Sequence, residues 1–366
     1  MITYYTRACN FYYGNLSKKL VKAKQTLPLC GNKEISFDQI EIFFKNKKKI
    51  TSKIINISKI SFLPKIVKIK IIEDIKKITA RRKVFKKKNH ILMGVLNMTP
   101  DSFSDGGQFN SEKKALIRLT DLLASGADII DIGGESTRPS SKIISPKIEW
   151  DRIKKIVKKF KKKYPKKLFS IDTRKSLVMR NSIKYKVDII NDVSCFKFDK
   201  DSSTTIKNKN LWKVIHHMQG TPQTMQINPK YHHVLLDIYD FFEREIVKLK
   251  KDKYSNKIIL DPGIGFGKDL KHNLMILSKI SIFHSLGFPI LIGTSRKKFI
   301  NQIAKNFDSK ERLGGTMSSV LFSLSQGIKI FRVHNVKEVK QGILVFENLL
   351  NQWRKNILAL MVLEAR

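Results

Sequence analysis

ILMGVLNMTPDSFSDGG, residues 91–107, opens as an apolar, β-prone run of strand length, Ile91 to Leu96, and breaks at Asn97 into a polar loop. Pro100, Asp101, Gly106 and Gly107 supply turn chemistry, because proline fixes φ and glycine tolerates positive φ. Ser111-Glu112 then precedes a run with helical periodicity: Ala115, Leu116, Leu119, Leu122 and Leu123. The stretch therefore reads as strand, long polar loop, helix. A loop running from Asn97 to Gly107 is longer than such a connection needs, which points to function.

The same unit recurs downstream. Apolar strand candidates start near Ile91, Asp128 (DIIDIG), Leu168 (LFSID), Asp188 (DIIND), Lys213 (KVIHHM), Lys257 (KIILD), Pro289 (PILIGT) and Ile328 (IKIFRV). Segments of helical periodicity lie between most of them, at 111–125, 146–163, 175–186, 234–251, 270–286, 310–326 and 336–353. Short, nearly all-apolar strands alternating with helices mean parallel strands buried on both faces. Eight such units over residues 90–355 predict an α/β fold, a (β/α)8 TIM barrel, rather than an open doubly wound sheet. Residues 1–89 show no clear periodic scheme and read as a basic accessory segment. Within it, 34–44 reads as a strand or strand pair, 67–78 as a short basic helix and 45–53 as a solvated turn. Residues 356–366 read as a C-terminal tail.

Polar residues cluster just after the strands, where the βα loops of a barrel build its active face. They are Asn97, Glu135 to Arg138, Asp172, Asn191-Asp192, His217, Asp261, Ser295 to Lys297, Arg332 and His334. Turn formers and helix caps would account for the Asp, Asn and Ser. They do not account for Arg138, Lys297, Arg332 and His334 together. Arg138, Arg332 and His334, with Asn97 and Thr137, offer donors suited to phosphate oxygens. Asp172, Asp261 and Asn191 offer acceptors for the paired N–H donors of a flat heterocycle. DPGIGFGK (261–268) is not a phosphate loop, since Pro262 stands at the first glycine position and Asp269 follows the lysine. It reads instead as a glycine-rich turn that lets Phe266 lean over the barrel mouth. A metal site built from His216, His217, His232 and His233 is disfavoured, because adjacent side chains diverge on a strand or a helix.

NMTPDSFSDGG (97–107), GGESTRP (133–139), DIIND (188–192), HMQG (217–220), DPGIGFGK (261–268), TSRK (294–297) and RVH (332–334) together resemble dihydropteroate synthase, in order and spacing, over about 91–350. The resemblance implies condensation of 6-hydroxymethyl-7,8-dihydropterin pyrophosphate with 4-aminobenzoate, with Mg2+ as cofactor and pyrophosphate as leaving group. By motif position it implies a pterin set of Asp172, Asn191, Met218, Asp261 and Lys297. It implies a pyrophosphate set of Asn97, Thr137, Arg138, Arg332 and His334, with Asn97 on the metal. It implies an aminobenzoate pocket of Phe103, Pro139, Phe266 and Ser295, where sulfonamides also bind in the family. Asp105 is expected to order the loop against Arg138, and a homodimer is expected. The catalytic set is then Asp172, Asp261, Lys297, Arg332 and His334. The sequence departs from the pattern at His216, where Met is frequent, at Asn335, where Asp is common, and at Arg174, a variable position. Two other readings stand beside this one. One is a methyltetrahydrofolate-dependent methyltransferase on the same kind of barrel. The other is a non-catalytic barrel whose N-terminal segment binds nucleic acid.

The 366 residues carry a net charge of +41, and residues 1–90 hold 23 Lys/Arg against 5 Asp/Glu. The basic residues are mostly Lys in scattered runs such as Lys86-Lys87-Lys88, without aromatics at stacking spacing. Composition accounts for them better than a nucleic-acid surface does, although a positive field would aid capture of a polyanionic substrate. Cys9, Cys30 and Cys195 form neither a disulfide framework nor a zinc motif. There is no signal-like N-terminus and no apolar run near the roughly 20 residues of a membrane span. A cytoplasmic protein acting on small molecules, with no membrane partner, is expected.

Overall fold

The computed structural model describes residues 2–47, 49–82, 84, 89–99, 108–137, 141–305 and 307–353. The chain begins with β1 (Thr3–Tyr13), α1 (Gly14–Lys22), β2 (Leu27–Leu29), β3 (Asn32–Lys45), β4 (Ile50–Asn56) and α2 (Lys65–Thr79). These make a four-stranded antiparallel sheet in which β3 pairs with β1 on one edge and with β2 and β4 on the other. Where a solvated turn is expected over 45–53, Lys45 still belongs to β3, and Ile50 to Lys53 already pair in β4. The 34–44 stretch is part of a single strand.

The barrel follows as β5 (Ile91–Asn97), α3 (Gln108–Ala124), β6 (Ile129–Gly133), α4 (Pro146–Lys163), β7 (Leu168–Asp172), α5 (Ser176–Lys184), β8 (Ile189–Asp192), α6 (Ser202–Ile206), β9 (Trp212–His216), α7 (Val234–Leu249), β10 (Ile258–Asp261) and α8 (Leu270–Ser278). It is completed by β11 (Leu291–Ile292), α9 (Lys298–Ala304), α10 (Leu313–Leu324), β12 (Ile330–Val333) and α11 (Val336–Trp353). All strand pairs are parallel, in the order β10-β9-β8-β7-β6-β5-β12-β11, and a parallel bridge between Leu260 and Ile290 brings the two ends together. The expected 270–286 helix is split: α8 ends at Ser278, and a 3-10 turn, Ile280–Leu286, follows. The 310–326 helix is α10, and α9 before it was not anticipated.

Period two explains the barrel's two faces. Ile91, Met93, Ile129, Ile189, Val214, Ile259, Leu291 and Ile330 pack together inside it as an apolar floor. Their strand neighbours Leu92, Ile130, Ile190, Ile215, Leu260, Ile292 and Phe331 point outward into the helix-lined core. Stepping by two from the floor toward the strand ends turns the inward positions polar: Asp131, Asp172, Asn191, His216, Asp261 and Arg332. The same alternation that buries the floor therefore delivers the site.

The N-terminal sheet docks on α7 and on the 280–286 turn. The Tyr5 ring meets Tyr239 edge-on, with centroids 5.1 Å apart, and the Tyr5 hydroxyl donates to Asp240 at 2.8 Å. Lys45 pairs with Asp240 at 2.8 Å, and Ser281 Oγ donates to the Ala8 carbonyl at 2.9 Å. Tyr5 and Phe43 belong to the barrel's own outer core. The opposite face of the sheet packs against α2 through Ala8, Phe37, Ile40, Val67, Ile71 and Ile78.

Candidate active site

Arg332, on β12, sits at the centre of the barrel mouth. Its Nε donates to Asp131 Oδ2 and its Nη2 to Asp172 Oδ2, each at 2.7 Å. Asp131 also accepts from Asn191 Nδ2 at 3.2 Å. The other oxygens of this group, Asp131 Oδ1 and Asn191 Oδ1, are buried with no hydrogen-bond partner among the described residues. Buried acceptors without donors are costly, so these two are an unmet demand for N–H donors in the barrel mouth.

Burial pushes the Asp172 carboxyl up to about 7; Arg332 opposes the shift, while Asp131, Glu149 and Asp192 add to it. Asp261, at the end of β10, is raised to about 6, chiefly by burial, although it accepts from the Gly263 N–H at 2.8 Å. The next turn is glycine-rich for a local reason. Gly263 has φ +67°, and a Cβ there would lie 2.0 Å from the His217 carbonyl oxygen. The turn places Phe266 edge-on to His216, centroids 4.6 Å apart, with Lys297 Nζ 4.0 Å above the Phe266 ring. Met218 and Phe266 share an apolar wall with Val193 and Met225. Burial and the neighbouring Arg332 lower Lys297 to about 8. His216, the departure from the family pattern, is thus packed between Phe266 and Asp261, its Nε2 4.0 Å from Asp261 Oδ2. Burial holds it neutral, far below the usual histidine range.

Ser295 and His334 meet across the mouth. Ser295 Oγ accepts from the His334 N–H at 3.2 Å and lies 3.0 Å from His334 Nδ1. Burial, with Arg332, Arg296, Lys297 and Arg118 around it, drops His334 to about 3. Asn335, the second departure, accepts from Arg296 at 2.9 Å. Asn97 ends β5 beside Gly133, where a Cβ would lie 3.6 Å from Asn97 Oδ1 and 3.5 Å from Asp172 Cβ. Thr137 lies half-buried in the loop after β6. Phe103, Asp105, Arg138 and Pro139 lie outside the described residues.

The structure therefore brings together Asn97, Asp172, Asn191, Met218, Asp261, Phe266, Ser295, Lys297, Arg332 and His334. It adds groups and pairings that the sequence did not show. Asp131 is one, and its signal was available: it lies two residues past the floor residue Ile129 and so points inward. A buried ionic cluster behind the β6 loop is another. Glu135 accepts from Arg174 Nε at 2.9 Å, Lys175 Nζ at 2.7 Å and the Ile144 N–H at 3.1 Å, while Lys175 also pairs with Glu149 at 2.8 Å. Arg174, the third departure, stacks on Phe198 at 3.9 Å. A third is Lys268, whose buried Nζ lies 3.0 Å from His217 Nδ1 and donates to the Phe266 carbonyl at 2.8 Å, pinning the turn. Among the described residues no cluster of three or more His, Cys, Asp or Glu could hold a metal.

Residues 93–334 match the family described as pterin binding enzyme. The dihydropteroate synthase of Escherichia coli strain K12 is 38% identical over 261 residues, 71% of this chain and 92% of that protein. The chain belongs to the dihydropteroate synthase family. The crystal structure of the Yersinia pestis dihydropteroate synthase with a sulfonamide drug aligns with a TM-score of 0.66 at 36% identity, over 71% of this chain and 93% of that one. That of the Burkholderia cenocepacia dihydropteroate synthase complexed with 7,8-dihydropteroate aligns with a TM-score of 0.66 at 30% identity, over 74% of this chain and 95% of that one. These matches leave out between about a quarter and a third of the chain. No described helix is long and apolar enough to cross a membrane.

Proposed function

We propose that the barrel mouth condenses 6-hydroxymethyl-7,8-dihydropterin pyrophosphate with 4-aminobenzoate, giving 7,8-dihydropteroate and pyrophosphate. The observation that carries this beyond family membership is the pair of orphan acceptors, Asp131 Oδ1 and Asn191 Oδ1, set in a pocket with Asp172 and Asp261. A pterin's amino and ring N–H groups are the donors such a pocket lacks. Lys297 would meet a ring nitrogen or carbonyl oxygen of the same heterocycle, and Met218 its face.

The chemistry asked of the chain is electrostatic. As pyrophosphate leaves, positive charge spreads from the exocyclic methylene into the pterin, where buried carboxylates stabilise it. Arg332 bridges Asp131 and Asp172, so one cation faces both the ring carboxylates and the departing phosphate oxygens. Asn97, Thr137, Arg138 and His334 are read as the rest of the pyrophosphate set. His334, neutral near pH 7, acts by hydrogen bonding rather than by charge. The aromatic amine then attacks from a pocket read as Phe103, Pro139, Phe266 and Ser295. No side-chain nucleophile is needed.

Mg2+ fits the donor set in a limited way. Gly133 lacks a side chain beside Asn97 Oδ1, leaving a cradle for a cation that takes one protein oxygen and completes its shell from phosphates and water. Bound there, it would offset charge on the leaving group. A homodimer is read from the family resemblance alone. Titrating purified protein with the dihydropterin tests the pocket. Asn191→Ala should weaken binding by about tenfold or more, the loss of a good hydrogen bond, and unchanged affinity would overturn the assignment.

A further inference from the structure

Away from the barrel mouth, at the seam between the N-terminal sheet and the barrel, a thiol and an imidazole are paired. Cys30 directly follows β2, and its backbone N–H donates to the Ile78 carbonyl at 2.8 Å. Its Sγ lies 3.5 Å from His284 Nδ1, on the 280–286 turn. His284 Nε2 lies 2.9 Å from the Gln326 carbonyl oxygen. A carbonyl only accepts, so Nε2 carries the ring proton and Nδ1 turns its lone pair toward the sulfur. The other charged groups here are cations. Arg82 Nη2 donates to the His284 carbonyl at 2.9 Å, and its Nε is buried without a partner among the described residues. Lys329 faces Cys30 from the strand side, and Arg81 lies against Gly31. Glu347 acts on Lys329.

Nucleophile, base and a group that orients the base are the parts of an activated thiol. Burial works against the Cys30 thiolate, but His284, Arg82 and Lys329 outweigh it and bring the thiol down to about 7. The other two cysteines have no such surroundings. Cys9 and Cys195 are buried, and burial raises both thiols.

We propose that Cys30 is a reactive thiol site for small hydroperoxides, with His284 as its base. His284 Nδ1 takes the Sγ proton, and the thiolate sulfur attacks one peroxide oxygen. The S–O bond forms as the O–O bond breaks, and the departing hydroxide or alkoxide takes the proton from the imidazolium and leaves as water or an alcohol. Sulfur is oxidised to a sulfenic acid by two electrons and the peroxide is reduced. The site is independent of the pterin pocket, so its failure would leave the assigned reaction untouched.

The test uses the full chain in its native state. Iodoacetamide labelling is followed at each of the three cysteines by mass spectrometry, from about pH 5.5 to 9.5. Cys30 should label fastest, with a midpoint near pH 7, while Cys9 and Cys195 label only after denaturation. After hydrogen peroxide, dimedone should trap a sulfenic acid at Cys30 alone. His284→Gln should return the midpoint to the ordinary thiol range near 8.5, cutting the thiolate fraction at pH 7 and the labelling rate about 15-fold. Lys329→Gln, which leaves the base in place, should move the midpoint upward by less, and serves if His284→Gln does not fold. A parent midpoint above 8, or no dimedone adduct at Cys30, would overturn the proposal.

Discussion

Replacing Arg332 with Met removes one cation from between two buried carboxylates. Asp131 is fully buried and Asp172 only 7% exposed, and each accepts from the guanidinium at 2.7 Å. Breaking a buried ion pair from one side costs about 3–5 kcal/mol, because the partner charge is stranded. Here two charges are stranded, but they can take up protons. Asp172 already sits near 7 with the arginine present. Without it, Asp172 titrates still further above the roughly 3.9 of an unfolded Asp. The folded state then binds more protons than the unfolded chain, so stability contributed below about pH 4 is lost as pH rises through the folded pKa values. The variant's deficit must therefore grow with pH. About 4 kcal/mol at pH 7.5 corresponds to roughly 5 °C in Tm for 366 residues, and about half of that should return at pH 5.5. Thermal melts of parent and variant at both pH values measure it. A deficit of equal size at the two pH values, or one under about 2 °C, would show that the Arg332 bridge is not what neutralises the mouth.

Other perturbations separate the parts of the site. Asp172→Asn removes a carboxyl that burial disfavours; the Tm at pH 8 should hold within about 3 °C, while pterin affinity falls at least tenfold by calorimetry. Gly263→Ala, forced to place a Cβ 2.0 Å from the His217 carbonyl at φ +67°, should cost more than about 2 kcal/mol in urea unfolding and displace Phe266. Lys297, near 8, loses its charge as pH rises through that value, so pterin affinity should fall above pH 8, and Lys297→Met should abolish that limb. His334, held near 3, should add no transition between pH 5 and 8.

The barrel was legible because its signal is local and repeated. Each strand is short and apolar, each helix shows its own period, and the polar residues after each strand name the face. Asp131 was missed because it stands inside the apolar run DIIDIG, where nothing local says which way it faces; only parity counted from Ile129 turns it inward. The Glu135–Arg174–Lys175–Glu149 cluster could not be read, since its partners come from different βα units and meet only once the strand register is set. The N-terminal sheet was opaque for another reason. β1 is buried on both faces, Ala8 toward α2 and Tyr5 toward the barrel, so no apolar–polar alternation appears. Asn10, at φ 52°, interrupts the strand as well. Its partner β3 lies some thirty residues on, beyond what a local pattern reports.

The function proposed for this mouth is to ionise a pterin pyrophosphate and hand the pterin to an aromatic amine. Pyrophosphate release from the dihydropterin pyrophosphate, measured with Mg2+ and with or without 4-aminobenzoate, tests it most directly. Sustained release that depends on the amine and matches dihydropteroate formed mole for mole is the predicted result. Tight pterin binding with no release under either condition would contradict it.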